Sequence, residues 1–268
     1  MTAVRKALVW TFIASWTWAG LYYLAGGRLT SPTFPAFSLV YMWIPGLVAL
    51  LLARQEGVRL GVWARPNRYW LLAWGLPIAL SLLAILPSLA FAPYVGLEVI
   101  RALLPPEAAQ VPDAFLWGAL LVQSLLAGAT VNLVFALGEE LMWRGYLWER
   151  LKPLGFWRAA LVIGVAWGLW HAPLILQGFN YPQHPGLGVV WMVAFTTLLT
   201  PWMLYLRERG GAILVAALFH GTLNASAGLS LVVVARTNDL TVGLLGLAGF
   251  FVLLAANLAL RGLRPAEG

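Results

Sequence analysis

Gly138-Glu139-Glu140-Leu141-Met142-Trp143-Arg144-Gly145-Tyr146 sets two adjacent carboxylates and an arginine inside a long apolar run, residues 113–148. Whether that run is a membrane span or the core helix of a soluble domain decides the fold. A charge at a bilayer centre costs roughly 2.5–3.5 kcal/mol on insertion scales, so three together need partners or a function. The rest of the chain argues for the membrane. Of its 268 residues 61% are hydrophobic and only 10% charged, against about 25% charged in a soluble domain. Mean hydropathy is +0.82.

Outward from this run, apolar segments of spanning length recur at about 7–25, 36–53, 69–92, 157–176, 187–206, 211–235 and 241–260. With 113–148 they predict an all-α, polytopic membrane bundle of about eight transmembrane helices enclosing a polar cavity. Nothing reads as the alternating strands of a barrel. The first run follows Arg5 and Lys6 but lacks a convincing small-x-small cleavage site, so it is expected to be a retained helix. Segment 113–148 is too long for a perpendicular span; it must tilt, protrude or break near Gly128. No repeat or composition shift divides the chain, which is expected to form one transmembrane domain over 1–268 with its catalytic core at about 113–235.

The loops orient it. Arg5, Lys6, Arg54, Arg59, Arg65, Arg68, Arg150, Lys152, Arg158, Arg207, Arg209, Arg261 and Arg264 fall on one side, and Arg28, Arg101 and Arg236 on the other. Positive charge marks the cytoplasmic face, so both termini are expected in the cytoplasm, in what reads as a prokaryotic cell membrane. The net charge of +7 is spread between apolar runs rather than gathered in a patch, which speaks against nucleic acid as a partner. With no cysteine, disulfides, thiolate catalysis and cysteine-ligated metal are excluded. The proline-rich segment 93–112 is an external loop with room for a short helix through Leu97, Ile100, Arg101 and Leu104. Most of the 15 tryptophans are expected in interfacial belts, as at Trp10, Trp63, Trp70 and Trp157.

Three polar pairs four residues apart interrupt the apolar helices: Glu140 with Arg144, Trp167 with His171, and His220 with Asn224. Glu139 is turned about 100° from Glu140 around the axis and can face elsewhere. Glu139, His171 and His220 lie roughly 14–21 Å from the cytoplasmic ends of their helices at a 1.5 Å rise, one common layer. Each pair alone has a plain structural reading: an ion pair, a packed imidazole, an interhelical amide. Their conjunction points to chemistry. A carboxylate and an imidazole around one water make a general base; a second imidazole and an amide can hold an oxyanion. Glu139 is assigned as base, His171 as its water partner, and His220 with Asn224 as the oxyanion site. Glu140 and Arg144 either hold the geometry or orient a peptide carboxylate. His184 reads as an ordinary loop residue.

Glu139-Glu140-x-x-x-Arg144, the aromatic-x-x-x-His ending at His171, and His220-x-x-x-Asn224, in this order on successive helices, resemble the CPBP (Abi) family of intramembrane endopeptidases related to CAAX prenyl proteases. The resemblance covers mainly 113–235. It implies an eight-helix bundle, a cavity open to the cytoplasm, and hydrolysis of a peptide bond in a small or membrane-associated substrate. It places base, water partner and oxyanion donors on Glu139, His171, His220 and Asn224. The implied partners are a peptide or protein substrate, lipidated or not, and membrane lipid. Trp143 and Trp167 depart from the phenylalanine frequent in the family.

Two other readings stand beside this one. Glu139, His171 and His220 are also a ligand set for catalytic zinc, although no His-Glu-x-x-His occurs; the metal-free form is favoured and no cofactor is expected. Buried Glu, Arg and His also build proton relays in transporters, but no inverted repeat is visible. The only aspartates, Asp113 and Asp239, sit at predicted external ends, away from any intramembrane dyad.

Overall fold

In the computed structural model, which describes residues 2–108, 110–235 and 238–263, helices and loops account for those described residues, with one isolated antiparallel bridge among them, between Tyr94 and Val234. The helices are α1 (Ala3–Leu24), α2 (Phe34–Glu56), α3 (Arg68–Leu83), α4 (Ile85–Ser88), α5 (Glu98–Arg101), α6 (Asp113–Ala129), α7 (Val131–Glu140), α8 (Leu147–Leu151), α9 (Phe156–Trp170), α10 (Ala172–Ile175), α11 (Pro185–Gly210), α12 (Ile213–Ser226) and α13 (Leu247–Leu263). A π-helical turn, Leu141–Tyr146, joins α7 to α8.

Each of the eight apolar segments contains a helix, and the all-α, polytopic class holds. The count of eight spans is a different matter. Phe34–Glu56, Arg68–Ser88, Pro185–Gly210 and Ile213–Leu231 are long and apolar enough to cross a membrane, and the bent pair 113–129 with 131–154 makes a fifth. Helices α9 and α13, at 15 and 17 residues, fall short of the roughly 20 that a perpendicular span needs. Helix α9 stops early for a local reason. Pro173 has no N–H with which to continue the ladder.

The long fourth segment breaks at Thr130 (φ −122°, ψ −97°), and its two halves are bent by 47°. The break is two residues beyond Gly128, because Gly128 is needed for contact with α12. A Cβ on Gly128 would lie 2.6 Å from the Thr222 backbone, and one on Gly221 would lie 2.5 Å from the Gly128 carbonyl oxygen. The same device brings α2 against α7: a Cβ on Gly138 would meet the Met42 carbonyl at 2.6 Å. Small residues let helices in lipid approach closely, where packing replaces the hydrophobic drive.

The two ends of the bundle differ. At one end, Arg150 pairs with Glu56, whose carboxylate also accepts from Tyr146 at 2.6 Å, and Arg207 joins Glu149 at 3.0 Å. Lys6 reaches Gln55, and Asn67 donates to the Arg209 carbonyl. The basic loops before α1, after α2, after α8 and after α11 therefore gather together. Arg264 and Arg236, used in the loop argument, lie outside the described residues. At the other end α5 packs on the bundle through Leu97 beside Val232, Val233 and Val242, and Arg101 pairs with Asp113. Trp10 and Trp63 are exposed as a belt requires, but Trp143, Trp167 and Trp170 are buried and form the core around the polar residues.

Candidate functional site

Glu139 and Glu140 end α7 on a fully buried stretch, Gly138 to Trp148. A π-turn opens the helix just after them. Such turns recur at functional sites because they redirect side chains at the expense of regular hydrogen bonding. Here Arg207 Nε donates to the Arg144 carbonyl inside the turn at 3.2 Å. The two neighbours diverge as their offset around the axis predicts: Glu139 lines a cavity of about 310 Å³, and Glu140 does not.

Glu140 Oε1 accepts from Arg144 Nη1 at 3.0 Å and bonds His220 Nδ1 at 2.8 Å. Arg144 Nη2 donates to Thr200 Oγ1 at 3.0 Å, and Thr200 in turn donates to the Thr196 carbonyl at 2.7 Å. The guanidinium also lies 4.1 Å from the Trp167 ring centroid, a desolvated cation–π contact worth roughly 2 kcal/mol. Arg144 and Glu140 are wholly buried and sit behind the cavity wall. Of the two roles open to them in the sequence, holding the geometry matches this placement. The Arg144 guanidinium is not among the groups that line the cavity.

The end of α9 supplies the second imidazole. His171 N–H bonds the Gly168 carbonyl at 3.2 Å instead of continuing the α-helical register. The orphaned Trp167 carbonyl is taken by His171 Nδ1 at 2.8 Å. A carbonyl only accepts, so Nδ1 carries the proton and Nε2 is left with a lone pair. The Trp170 carbonyl, freed by the same helix end, accepts from Tyr41 Oη at 2.7 Å and Trp16 Nε1 at 3.2 Å. Pro173 thus shapes the site from two residues away.

Glu139, His171, His220 and Asn224 all line the one cavity, together with Tyr41, Asn132, Trp167, Thr196 and a wall of aromatic and aliphatic side chains. Trp167 stands among them. Its indole Nε1 donates to Glu139 Oε2 at 2.6 Å, and its ring centroid lies 5.8 Å from that of His171 and 5.2 Å from that of His220. The sequence pairs this tryptophan with His171 and marks it as a departure from the family's phenylalanine; its hydrogen bond to the carboxylate has no counterpart in a phenylalanine. Asn132, two turns before Glu139 on α7, and Tyr41 on α2 were also not singled out. Asn132 was legible as an amide at i−7 on the Glu139 face, whereas Tyr41 carried no such signal.

Among the described residues no three His, Asp or Glu side chains form a group that could hold a metal ion. Glu139, His171 and His220, the set named for zinc, each lie against the Trp167 indole. His184 lies away from the cavity. It bonds Asp239 Oδ1 at 2.6 Å, while Gln183 N–H takes Asp239 Oδ2, tying the loop after α10 to the one before α13. Tyr181 donates to the Leu245 carbonyl at 2.9 Å, and burial pushes its phenol well above the ordinary range, so it stays a donor.

Residues 121–226 match a family model described as Rce1-like, type II CAAX prenyl endopeptidase Rce1-like. A relative named CAAX prenyl protease 2, from Methanococcus maripaludis, is 28% identical over 130 residues. That match covers 46% of this chain and 47% of the relative, about half of each. Both findings support the CPBP/CAAX protease family, in agreement with the resemblance carried by the three motifs.

Proposed function

We propose that this CAAX-protease-type chain is an integral membrane endopeptidase. It hydrolyses a peptide bond in a small or membrane-associated substrate, with water as the nucleophile and no covalent intermediate. The observation that carries the reading is the convergence of Glu139, His171, His220 and Asn224 on one cavity, with both imidazoles and the carboxylate held by hydrogen bonds from behind.

A water between Glu139 and His171 gives one hydrogen bond to the bare His171 Nε2 and its proton to the Glu139 carboxylate as its oxygen attacks the carbonyl carbon. Trp167 engages Oε2, so Oε1 is the oxygen left to act. The negative charge that develops on the carbonyl oxygen is met by the Asn224 amide and by His220. His220 Nδ1 is engaged by Glu140 Oε1 at 2.8 Å, so Nε2 is the ring nitrogen turned to the oxyanion. Each such donor is commonly worth about 3–4 kcal/mol. The tetrahedral intermediate then collapses: the C–N bond breaks and the proton held by Glu139 passes to the leaving amine. Both termini face the cytoplasm in this reading, because the basic loops share one end of the bundle.

The test is turnover of reporter peptides by the purified full chain. Glu139→Ala and His171→Ala are expected to lose activity by at least about a hundredfold while keeping the helical content and melting behaviour of the parent. Wild-type-like turnover by either folded variant would defeat the assignment.

A further inference from the structure

Helix α11 carries a groove on its outer side, away from the cavity. Helices α9 and α13 both belong to its walls, and Leu198 and Pro201 of α11 form its floor, in a hollow of about 540 Å³. Leu161 stands on the α9 wall, and Leu254 and Leu258 on the α13 wall; all three side chains are exposed. A polar strut sets the depth of the groove. Asn257 Nδ2 donates to the Leu198 carbonyl at 2.7 Å and so fixes α13 on α11 one turn before Arg261. Pro201 has no N–H, which interrupts the α11 ladder at the same level.

The groove ends on a charge. Arg261, in the last turn of α13, lies over Trp157 at the start of α9, with its guanidinium carbon 5.4 Å from the ring centroid. Arg101, Arg150 and Arg207 each meet a carboxylate; Arg261 is exposed and, among the described residues, meets none. Arg158, next to Trp157, is a second exposed cation at this end. A second outward groove, of about 660 Å³ between α1 and α10, makes the comparison. It too carries an arginine, but Arg28 Nη1 is spent on the Gly27 and Tyr23 carbonyls at 2.7 and 3.4 Å. From Leu254 to Arg261 is about 10 Å along the helix axis, against about 15 Å for half of a hydrocarbon core. The α9–α13 groove therefore fits within one leaflet, with its tryptophan and arginine where interfacial anchors sit.

We propose that this groove binds an anionic phospholipid of the surrounding bilayer, with its phosphate on Arg261 and one acyl chain laid along Leu161, Leu198, Leu254 and Leu258. Basic pockets between spanning helices take anionic headgroups, and here the pocket and the chain's bed are continuous. The Trp157 ring faces one side of the guanidinium, and the edge of an arginine fork is matched to phosphate oxygens. A zwitterionic lipid brings its own cation beside Arg261 and Arg158, so it is the weaker occupant. Helices α9 and α13 are also short for a bilayer, at 15 and 17 residues. Short spans are accommodated by local thinning and by snorkelling residues at their ends, and Arg261 is placed to be one. The site depends neither on the peptidase reading nor on which end of the bundle faces the cytoplasm.

Trp157 reports on occupancy, because bromine on an acyl chain quenches tryptophan fluorescence on contact. The purified full chain is placed in phosphatidylcholine nanodiscs, into which phosphatidylglycerol or phosphatidylcholine with brominated chains is titrated. Brominated phosphatidylglycerol is expected to quench more than brominated phosphatidylcholine at equal content, and Trp157→Phe is expected to remove the excess. Arg261→Gln is expected to shift the half-point about fivefold toward higher phosphatidylglycerol content, the effect of one basic residue at a membrane surface. Equal quenching by the two lipids, an excess that survives Trp157→Phe, or a parental half-point for Arg261→Gln would each overturn the proposal. Soluble glycerol phosphate is expected not to reverse the quenching; reversal would assign the site to a free phosphate instead of a lipid. Should Trp157→Phe fail to fold, a bimane on Leu258→Cys, in a chain with no other cysteine, reads the same contact. Its quenching must show the same preference for phosphatidylglycerol, and the absence of that preference overturns the site.

Discussion

Glu139 and Glu140 are neighbours in the chain and belong to two different regions of the molecule. Glu139 lies in the cavity wall with Oε2 held by Trp167. Glu140 lies in the floor, shared between Arg144 and His220, with Oε2 and Arg144 Nε left without partners among the described residues. The cavity is open and lightly tied; the floor is dry, charged and incompletely paired. A buried ion pair of that kind adds little net stability, since desolvation offsets the attraction. Its use here is to fix the imidazole that faces the cavity. The contrast separates a residue whose loss should stop turnover from residues whose loss should loosen the fold.

The sharpest way to break this contrast is the pair Glu139→Gln and Arg144→Met. Glu139→Gln is expected to lower kcat by about 10²–10⁴-fold, the range of general base catalysis, with little change in the denaturation midpoint. Arg144→Met leaves Glu140 buried with His220 as its remaining partner, and is expected to cost about 3–5 kcal/mol of stability, read as a lowered melting temperature. Adding Glu140→Gln to Arg144→Met should recover part of that stability without restoring activity. If instead Glu139→Gln unfolds the protein and Arg144→Met leaves it intact, the two regions have been assigned the wrong way round.

A smaller effect sharpens the boundary between them. Trp167 touches both regions, donating to Glu139 and stacking on Arg144. Trp167→Phe keeps a ring and removes the N–H. A hydrogen bond to a charged group is worth about 1.5–3 kcal/mol, so a fall in kcat of about ten- to a hundredfold is expected, with KM nearly constant. A purely packing role predicts unchanged kcat and a modest loss of stability. Smallest is Gly138→Ala, whose new Cβ would press on the Met42 carbonyl and Trp43 Cα of α2. Overpacking of this kind costs about 1–3 kcal/mol, and turnover should fall only as far as α7 shifts Glu139.

Much of this could be read before any coordinates. Composition and run lengths indicated an all-helical membrane chain, and the i,i+4 spacing of Glu140 with Arg144 anticipated their ion pair. The long fourth segment had to break, and it does so at Thr130 rather than Gly128, because Gly128 is committed to the contact with Thr222. Span length was less legible. Hydropathy continues past His171, but Pro173 ends the hydrogen-bond ladder there, so α9 is shorter than its apolar run.

By itself the sequence determined which side chains are too costly to bury without a reason, since the price of a charge in an apolar run depends only on the residue and its surroundings in the chain. It also determined which of them share a helix face, because that follows from helical periodicity. Only the tertiary structure decided that Trp167 holds Glu139 and that Arg144 does not line the cavity. Those facts depend on which helices meet and where their packing is sealed. Contacts between residues as far apart in sequence as Tyr41 and Trp170, or Glu140 and His220, are set by the whole bundle rather than by any local pattern.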